Sequence, residues 1–144
     1  DYQAILRGDH EQAYEGIASV VEAVRLKDER AIVKTILETA WLRAHGGEPA
    51  IRDACEAAIE GGTDFVKTST GYALEGGATE DDVVLLEELA SPCCVLVKAS
   101  GGIKTLNDAL FFRHIGASRL GMSASVKILE EALKHEWEDE LFDR

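Results

Sequence analysis

The stretch "DFVKTSTGYALEGGAT", residues 64–79, places a charged residue where a buried strand is expected to end. Lys67 closes a short apolar run, and small hydroxyl residues and a glycine follow it directly. The stretch "CCVLVKASGG", residues 93–102, repeats this arrangement with Lys98, and "AIVKTIL", residues 31–37, has Lys34 after a similar run. The three lysines are separated by 33 and 31 residues, which is the length of one strand–helix unit.

Apolar periodicity between these strands predicts a regular alternation of helices and strands. Asp9 is suited to cap the first helix, Thr79 the third, with Asp82 completing an approximate capping box, and Thr105 the fourth, which Gly116 ends. The predicted helices are 9–26, 48–60, 79–90, 105–116 and 125–137, and the predicted strands are 31–37, 63–69, 93–100 and 118–123.

One helix followed by four strand–helix pairs predicts an α/β fold with parallel strands, forming one domain over residues 1–144. An open doubly wound sheet and a (β/α)₈ barrel both fit this order, and four units are half of such a barrel. Both folds bind ligands at the carboxyl ends of the strands, which is where the pattern places Lys67 and Lys98.

The composition narrows the classes of function. The net charge of -12 disfavours binding to nucleic acid or to an anionic membrane, and no apolar run approaches the length of a membrane span. We expect no signal peptide at the start of the chain. The three cysteines are predicted to be free core thiols in a reducing cytoplasm. No C-x-x-C motif occurs and the four histidines lack ligand spacing, so no metal site is predicted.

Two lysines at equivalent positions of neighbouring strands suggest amine chemistry. Burial and a second ammonium both favour the neutral amine, which attacks carbonyl groups and forms a Schiff base. The spacing therefore predicts an imine-forming nucleophile, either Lys67 or Lys98, with the other lysine lowering its pKa. The alternative is that each lysine extends to solvent or meets a carboxylate. For Lys34, pairing with Glu38 is such an alternative.

The glycines suggest an anion site. Gly101 and Gly102 follow Lys98 and precede a predicted helix, so backbone N–H groups there could face a phosphate. "GMSAS", residues 121–125, repeats the arrangement after the last strand, and Lys104 and Ser123 could add donors. The alternative is that these glycines only make tight turns.

The stretches "GGTDFVKTSTGYALEGGATEDDVVLL", "VLVKASGGIKTLNDA" and "GASRLGMSASVKIL" closely resemble the deoxyribose-phosphate aldolase family, class I aldolases on a (β/α)₈ barrel. The resemblance implies reversible cleavage of 2-deoxy-D-ribose 5-phosphate to acetaldehyde and D-glyceraldehyde 3-phosphate, without a metal or organic cofactor. It implies that Lys67 is the Schiff-base lysine and that Lys98 keeps it unprotonated and assists proton transfer. The implied substrate-side positions are Lys34, Thr68, Gly71, Gly101, Gly102, Lys104, Gly121 and Ser123.

The resemblance also has gaps. Lys104 stands where the family often has arginine, and Ala124 where it often has a second serine. The match begins after the family's fourth strand, so we expect the last four units of the barrel without the catalytic aspartate of strand four. A catalytically silent half-barrel that binds phosphate or a partner is therefore an alternative. A phosphate-binding barrel isomerase is another, but it gives the paired lysines no role. We expect a homo-oligomer or association with the missing half.

Overall fold

The computed structural model describes residues 1–134. The chain forms an α/β layer in which a parallel sheet is backed by helices. The helices are α1 (Tyr2–Leu6), α2 (His10–Arg25), α3 (Thr39–Glu60), α4 (Glu80–Ala90), α5 (Leu106–His114) and α6 (Ser125–Lys134). The strands are β1 (Lys34–Ile36), β2 (Phe65–Lys67), β3 (Leu96–Ser100) and β4 (Arg119–Gly121).

The four strands lie in the order β1-β2-β3-β4 and every pair is parallel, as the alternation of elements predicts. Lys67 pairs with Lys98, and Lys98 pairs with Arg119, so three cationic residues occupy one row across the sheet. Lys34 pairs instead with Phe65, two residues before Lys67. The expectation that all three strand lysines are equivalent is therefore correct for Lys67 and Lys98 and wrong for Lys34.

The two faces of the sheet have opposite character because successive side chains of a strand point to opposite sides. Val66, Val97 and Ala99 are fully buried and belong to the core shared with the helices. Lys67 follows Val66 and Lys98 lies between Val97 and Ala99, so both lysines lie on the other face. Burial of each Val or Leu side chain in this core contributes roughly 1.5–3 kcal/mol to folding.

The predicted caps fix where three helices begin. The side chains of Asp9, Thr79 and Thr105 accept hydrogen bonds from backbone N–H groups in the first turns of α2, α4 and α5. The capping box predicted at Thr79 is wrong in its second half, because the carboxylate of Asp82 is bound by Arg43 of α3. Thr105 does form the reciprocal box, with Asp108.

Two helical segments were not predicted. The short helix α1, capped by the side chain of Asp1, precedes α2, so the expectation of one helix before the first strand is wrong. Five residues are too few for an apolar period to be recognised. Helix α3 begins at Thr39 rather than at residue 48, because the chain stays helical on both sides of a kink at Gly47. The last predicted helix extends to residue 137, and its final three residues lie outside the described part of the chain.

The cysteines differ from the prediction. Cys55 is a buried core thiol of α3, as expected, but Cys93 and Cys94 are exposed. Cys93 ends a 3₁₀ turn, Ser91–Cys93, and Cys94 follows it with a positive φ of 59°. The chain is therefore not extended there, and β3 begins only at Leu96. Hydrophobicity alone predicts a strand from residue 93 onward, because a turn at Pro92 does not change the apolar character of the run.

Two broader expectations concern membranes and metals. Within residues 1–134, no helix is long and apolar enough to cross a membrane. Over the same residues, no group of three or more His, Cys, Asp or Glu side chains is arranged to hold a metal ion.

Candidate active site

Lys67 and Lys98 lie side by side on the open face of the sheet. Lys67 is the last residue of β2, and Lys98 is its partner in the middle of β3. A Cβ atom built at Gly121 would lie 3.1 Å from Cε and 3.7 Å from Nζ of Lys98. The absence of a side chain at Gly121 therefore leaves room for the Lys98 ammonium beside β4.

The electrostatic environment favours a neutral amine at Lys98. Burial is the largest cause that lowers the pKa of Lys98 below its ordinary value. The positive charges of Lys67, Lys34 and Arg119 lower this pKa further. The lowered pKa therefore belongs to Lys98, and Lys67 is the largest of the neighbouring charges that cause it.

Arg119 is a residue of this face that the sequence analysis missed. Its guanidinium reaches across β3 and lies 4.5 Å from the centre of the Phe65 ring. Lys34 Nζ lies 5.8 Å from the centre of the same ring. The sequence shows that Arg119 lies in the last predicted strand. It does not show that Arg119 pairs with Lys98, because the register between the two strands depends on the tertiary structure.

A cavity of about 400 Å³ opens at the carboxyl ends of β2, β3 and β4. It joins the predicted nucleophile to the glycine loops that the sequence predicts as a phosphate site. Three predicted residues, Lys34, Thr68 and Lys98, do not line it. The lining residues are Lys67, Thr70, Gly71, Tyr72, Ser100, Gly101, Gly102, Ile103, Lys104, Gly121, Met122 and Ser123.

Thr68 is fully buried rather than facing the cavity. Its hydroxyl donates to the carbonyl of Ser100 at 3.1 Å and accepts from the Ser100 N–H at 3.0 Å. Ser69 adds a bond from its hydroxyl to the same carbonyl, and the hydroxyl of Ser100 donates to the carbonyl of Ser69 at 2.6 Å. These bonds fix the ends of β2 and β3 relative to each other. The small hydroxyl residues after Lys67 therefore hold the two strands that carry the lysines in place.

The loop after β3 depends on two glycines with positive φ, Gly101 at 86° and Gly102 at 85°. Gly77 of the preceding loop packs so closely that a Cβ atom there would lie 2.5 Å from the carbonyl carbon and oxygen of Gly101. Ala78 N–H donates to the carbonyls of both Ser100 and Gly101. The loops after β2 and β3 are therefore held together at the cavity by backbone contact.

The start of α5 is less open to an anion than the sequence suggests. The N–H groups of Lys104 and Thr105 both donate to the carboxylate of Asp108. These bonds are the main reason that the pKa of Asp108 is lowered. At this end of α5, free donors for an anion therefore come from the residues before Lys104 and from the Lys104 ammonium.

Glu38 occupies a role that the sequence did not indicate. The residue is buried and has a positive φ of 57°, a strained conformation for a residue with a side chain. Its carboxylate accepts from the N–H of Thr70 at 3.0 Å and from the Thr70 hydroxyl at 2.7 Å. Among the described residues it forms no ion pair, so the suggested pairing with Lys34 is not what holds it. Glu38 instead anchors the loop that carries Gly71 and Tyr72 to the cavity.

Comparison with known proteins identifies the family of this chain. Residues 3–130 match the model of the DeoC/LacD family aldolases. The chain belongs to this family. A deoxyribose-phosphate aldolase of Carboxydothermus hydrogenoformans is 43% identical over 127 residues, which are 88% of this chain and 53% of that protein.

Solved structures of the DeoC/LacD family show the same fold. A putative deoxyribose-phosphate aldolase from Coccidioides immitis superposes with a TM-score of 0.80 at 36% identity, over 92% of this chain and 50% of that one. A deoxyribose phosphate aldolase from Aeropyrum pernix, described as tetrameric, gives 0.73 at 33% identity, over 85% and 49%. The four strand–helix units are thus part of a (β/α)₈ barrel, as predicted. The chain spans about half the length of the relatives it matches.

Proposed function

We propose that this chain carries the imine-forming half of a class I aldolase that cleaves 2-deoxy-D-ribose 5-phosphate reversibly to acetaldehyde and D-glyceraldehyde 3-phosphate. The observation that carries the proposal is the position of Lys67, which lines the cavity and pairs in register with Lys98. The names of the relatives support the substrate.

In this mechanism the neutral amine of Lys67 attacks the C1 aldehyde, and loss of water from the carbinolamine gives the imine. The protonated imine accepts the electron pair of the C2–C3 bond when that bond breaks. The C3 hydroxyl gives up its proton and becomes the aldehyde of D-glyceraldehyde 3-phosphate. Protonation of the resulting enamine at C2, followed by addition of water, releases acetaldehyde and the free lysine.

Lys98 is the proposed proton carrier for these steps. Its pKa lies below that of an ordinary lysine, which favours the neutral amine, and that amine can accept a proton from the Lys67 ammonium or from the C3 hydroxyl. Its position beside Gly121, behind the cavity wall, suits a group that acts on Lys67 rather than on the phosphate. Lys34, on the same face, adds to the positive field that lowers the pKa of Lys98.

The phosphate is proposed to lie among the glycine loops. Gly71, Gly101, Gly102 and Gly121 line the cavity at its loop end, together with the ammonium of Lys104 and the exposed Ser123. Small residues let backbone N–H groups approach an anion closely. Thr68 takes part indirectly, through its bonds to Ser100.

Because the chemistry uses a lysine amine, the proposal requires no metal or organic cofactor. We also propose a cytoplasmic location, since the chain keeps three free thiols, two of them exposed. Assembly into a homo-oligomer has the support of the Aeropyrum pernix relative, which is described as tetrameric.

The test is reductive trapping with acetaldehyde and borohydride, read by intact mass and peptide mapping. We expect one ethyl adduct at Lys67, loss of that adduct in Lys67→Leu, and an unchanged adduct in the control Lys127→Leu, whose lysine is exposed on α6. Labelling spread over many exposed lysines, or no labelling of a folded chain, would refute the imine role.

A second candidate function is binding of a phosphate without turnover. It is favoured by the loop end of the cavity, where Gly101, Gly102 and Lys104 offer donors to an anion independently of Lys67. Titration with D-glyceraldehyde 3-phosphate, followed by calorimetry, separates the two. Binding that survives in Lys67→Leu, combined with absent acetaldehyde trapping in the wild-type chain, would favour the binding function.

A further inference from the structure

Glu38 holds a backbone conformation that its neighbours in the chain impose on it. Its φ and ψ are both 57°, in the left-handed region that is costly for a residue with a side chain. The N–H of Leu37 donates to the carbonyl of Lys67 at 2.9 Å, and the N–H of Thr39 donates to the carbonyl of Thr68 at 2.8 Å. The chain on both sides of Glu38 is therefore bonded to the end of β2. Strain that is maintained in this way is concentrated at functional sites.

The side chain of Glu38 does not cap the helix that it precedes. Glu38 is the N-cap residue of α3, yet within the described residues its carboxylate accepts no hydrogen bond from the first turn of that helix. The residue is only 6% exposed, and its partner Thr70 lies 32 positions further along the chain. Burial of a carboxylate is costly unless hydrogen bonds compensate it. Both the strain and the burial therefore point to a role in the loop after β2.

The carboxylate of Glu38 fixes the donors of this loop. It accepts from the N–H of Thr70 at 3.0 Å and from the Thr70 hydroxyl at 2.7 Å. Because that hydroxyl donates its proton to Glu38, its oxygen is left to accept the N–H of Tyr72 at 3.2 Å. Within residues 1–134, no hydrogen bond uses the N–H of Gly71, which lies between these two. Of three consecutive N–H donors, the one at Gly71 is therefore left for a ligand.

Gly71 borders the cavity that also contains Lys67. A Cβ atom built on Gly71 would meet nothing within 4 Å, so the backbone there faces open space rather than packed protein. Its positive φ of 89° is accessible to glycine without strain. Backbone N–H groups around a residue in such a conformation form concave sites for anions.

We propose that Glu38 is a positioning residue for the phosphate of the substrate. It holds Thr70 directly and Tyr72 through the Thr70 hydroxyl, and this arrangement keeps the Gly71 N–H available to the anion. A donor that is already in place binds more tightly than one that must be ordered on binding. The inference rests on the proposed function, because it assumes that a phosphorylated aldehyde enters the cavity. It extends that function to a buried acid that is not among the residues lining the cavity.

The test separates binding of the phosphate from imine formation. Glu38→Gln keeps the size of the side chain but places an amide NH₂ opposite the N–H or the hydroxyl of Thr70, so one of the two bonds is lost or reversed. Glu88→Gln is the matched control, since it makes the same change at an exposed residue of α4. Calorimetry with sn-glycerol 3-phosphate, which has a phosphate and no carbonyl group, measures the first property. The rate of borohydride trapping with acetaldehyde, which has no phosphate, measures imine formation at Lys67.

We expect Glu38→Gln to weaken binding of sn-glycerol 3-phosphate about tenfold, because a hydrogen bond to a charged group is lost, and to retain the wild-type rate of acetaldehyde trapping. Glu88→Gln should change neither property. Unchanged affinity in Glu38→Gln would overturn the inference and leave the proposed function standing. Parallel losses of affinity and of trapping would also overturn it, since they would indicate a general distortion of the site. If the wild-type chain does not bind sn-glycerol 3-phosphate, the proposed phosphate site is refuted, and this inference with it.

A double variant tests whether Glu38 acts through Thr70. Thr70→Val removes the hydroxyl that links Glu38 to Tyr72 and should weaken phosphate binding by a similar factor. Glu38→Gln/Thr70→Val should weaken it little further, because both changes break the same chain of hydrogen bonds. Additive losses would show that the two residues act independently and would overturn the positioning role.

Circular dichroism checks that each variant is folded. If Glu38→Gln does not fold, Glu38→Gly replaces it, because glycine accepts a positive φ without strain. This variant removes the carboxylate and should lower the affinity for sn-glycerol 3-phosphate by at least the same factor while acetaldehyde trapping persists. Unchanged affinity in Glu38→Gly would then overturn the inference.

Discussion

Replacement of Arg43 by methionine should destabilise the chain strongly, because Arg43 neutralises a fully buried carboxylate. Asp82 of α4 has no exposed surface, and its Oδ1 atom accepts from Nε of Arg43 at 2.8 Å. A second bond runs from Nη2 of Arg43 to the same oxygen. The other oxygen, Oδ2, has no hydrogen-bond partner in the described part of the chain. Without Arg43, Asp82 would be a buried charge with no compensation.

The size of the effect follows from this burial. Breaking a buried ion pair by removing one partner costs about 3–5 kcal/mol. The Arg43 side chain is 36% exposed, so water can reach the vacated position and we take the lower limit, about 3 kcal/mol. Domains of this size have roughly 5–15 kcal/mol of stability in total, and the expected fall in Tm is roughly 6–12 °C.

Arg52→Met is the matched control, since Arg52 lies on the same helix and pairs with Glu48 at 3.1 Å. Those two side chains are 43% and 54% exposed, and an exposed pair at this spacing contributes about 0.5 kcal/mol or less. Urea denaturation followed by circular dichroism measures both variants. The double variant Arg43→Met/Asp82→Leu should recover most of the loss, because no buried charge remains. Equal losses for the two single variants would refute the reasoning.

Three further predictions follow from the structure. Gly77→Ala should lower the stability of the chain by roughly 1–3 kcal/mol and weaken phosphate binding, because its Cβ would lie 2.5 Å from the glycine loop after β3. The control Gly16→Ala, whose Cβ would have nothing within 4 Å, should stabilise the chain by about 0.5–1 kcal/mol. Urea denaturation measures both variants. His10 is hydrogen-bonded to two carboxylates of α3, which raise its pKa above the ordinary 6.5. Its contribution to stability is therefore complete below pH 6.5 and is lost as the pH rises through the raised pKa. The Tm of His10→Gln should fall about 2 °C below that of the wild type at low pH and match it at high pH. Cys94 is exposed and should react with a thiol reagent in the folded chain, whereas Cys55, whose pKa burial raises to about 12, should react only after denaturation; simultaneous labelling of both would contradict the structure.

Short-range signals in the sequence predicted most of the elements. Asp9, Thr79 and Thr105 mark helix starts correctly because a cap involves residues only a few positions apart. Helix α1 and the first half of α3 were missed, since one is too short for a period and the other is interrupted at Gly47. The prediction of a strand at the adjacent cysteines is wrong because hydrophobicity does not reveal a backbone turn.

The candidate site was likewise predicted only in part from local signals. Lys67, Lys98 and the glycine loops were found from their spacing and neighbours alone, and the structure brings Lys67 and those loops to one cavity. The roles of Glu38 and Arg119 were not found. Their contacts join residues about thirty or more positions apart, or depend on the register between strands, and neither leaves a local pattern.

The sequence by itself determined the alternation of strands and helices, the family resemblance and the lysine pair, because these depend on local periodicity and on residue types at fixed spacing. Only the tertiary structure decided which charges share a face. It set Arg119 beside Lys98 and placed Lys34 level with Phe65, two residues before Lys67. It also turned the carboxylate of Asp82 away from its own helix cap toward Arg43. Register and long-range packing fix these partners, since a shift of one residue in a strand would send each side chain to the opposite face of the sheet.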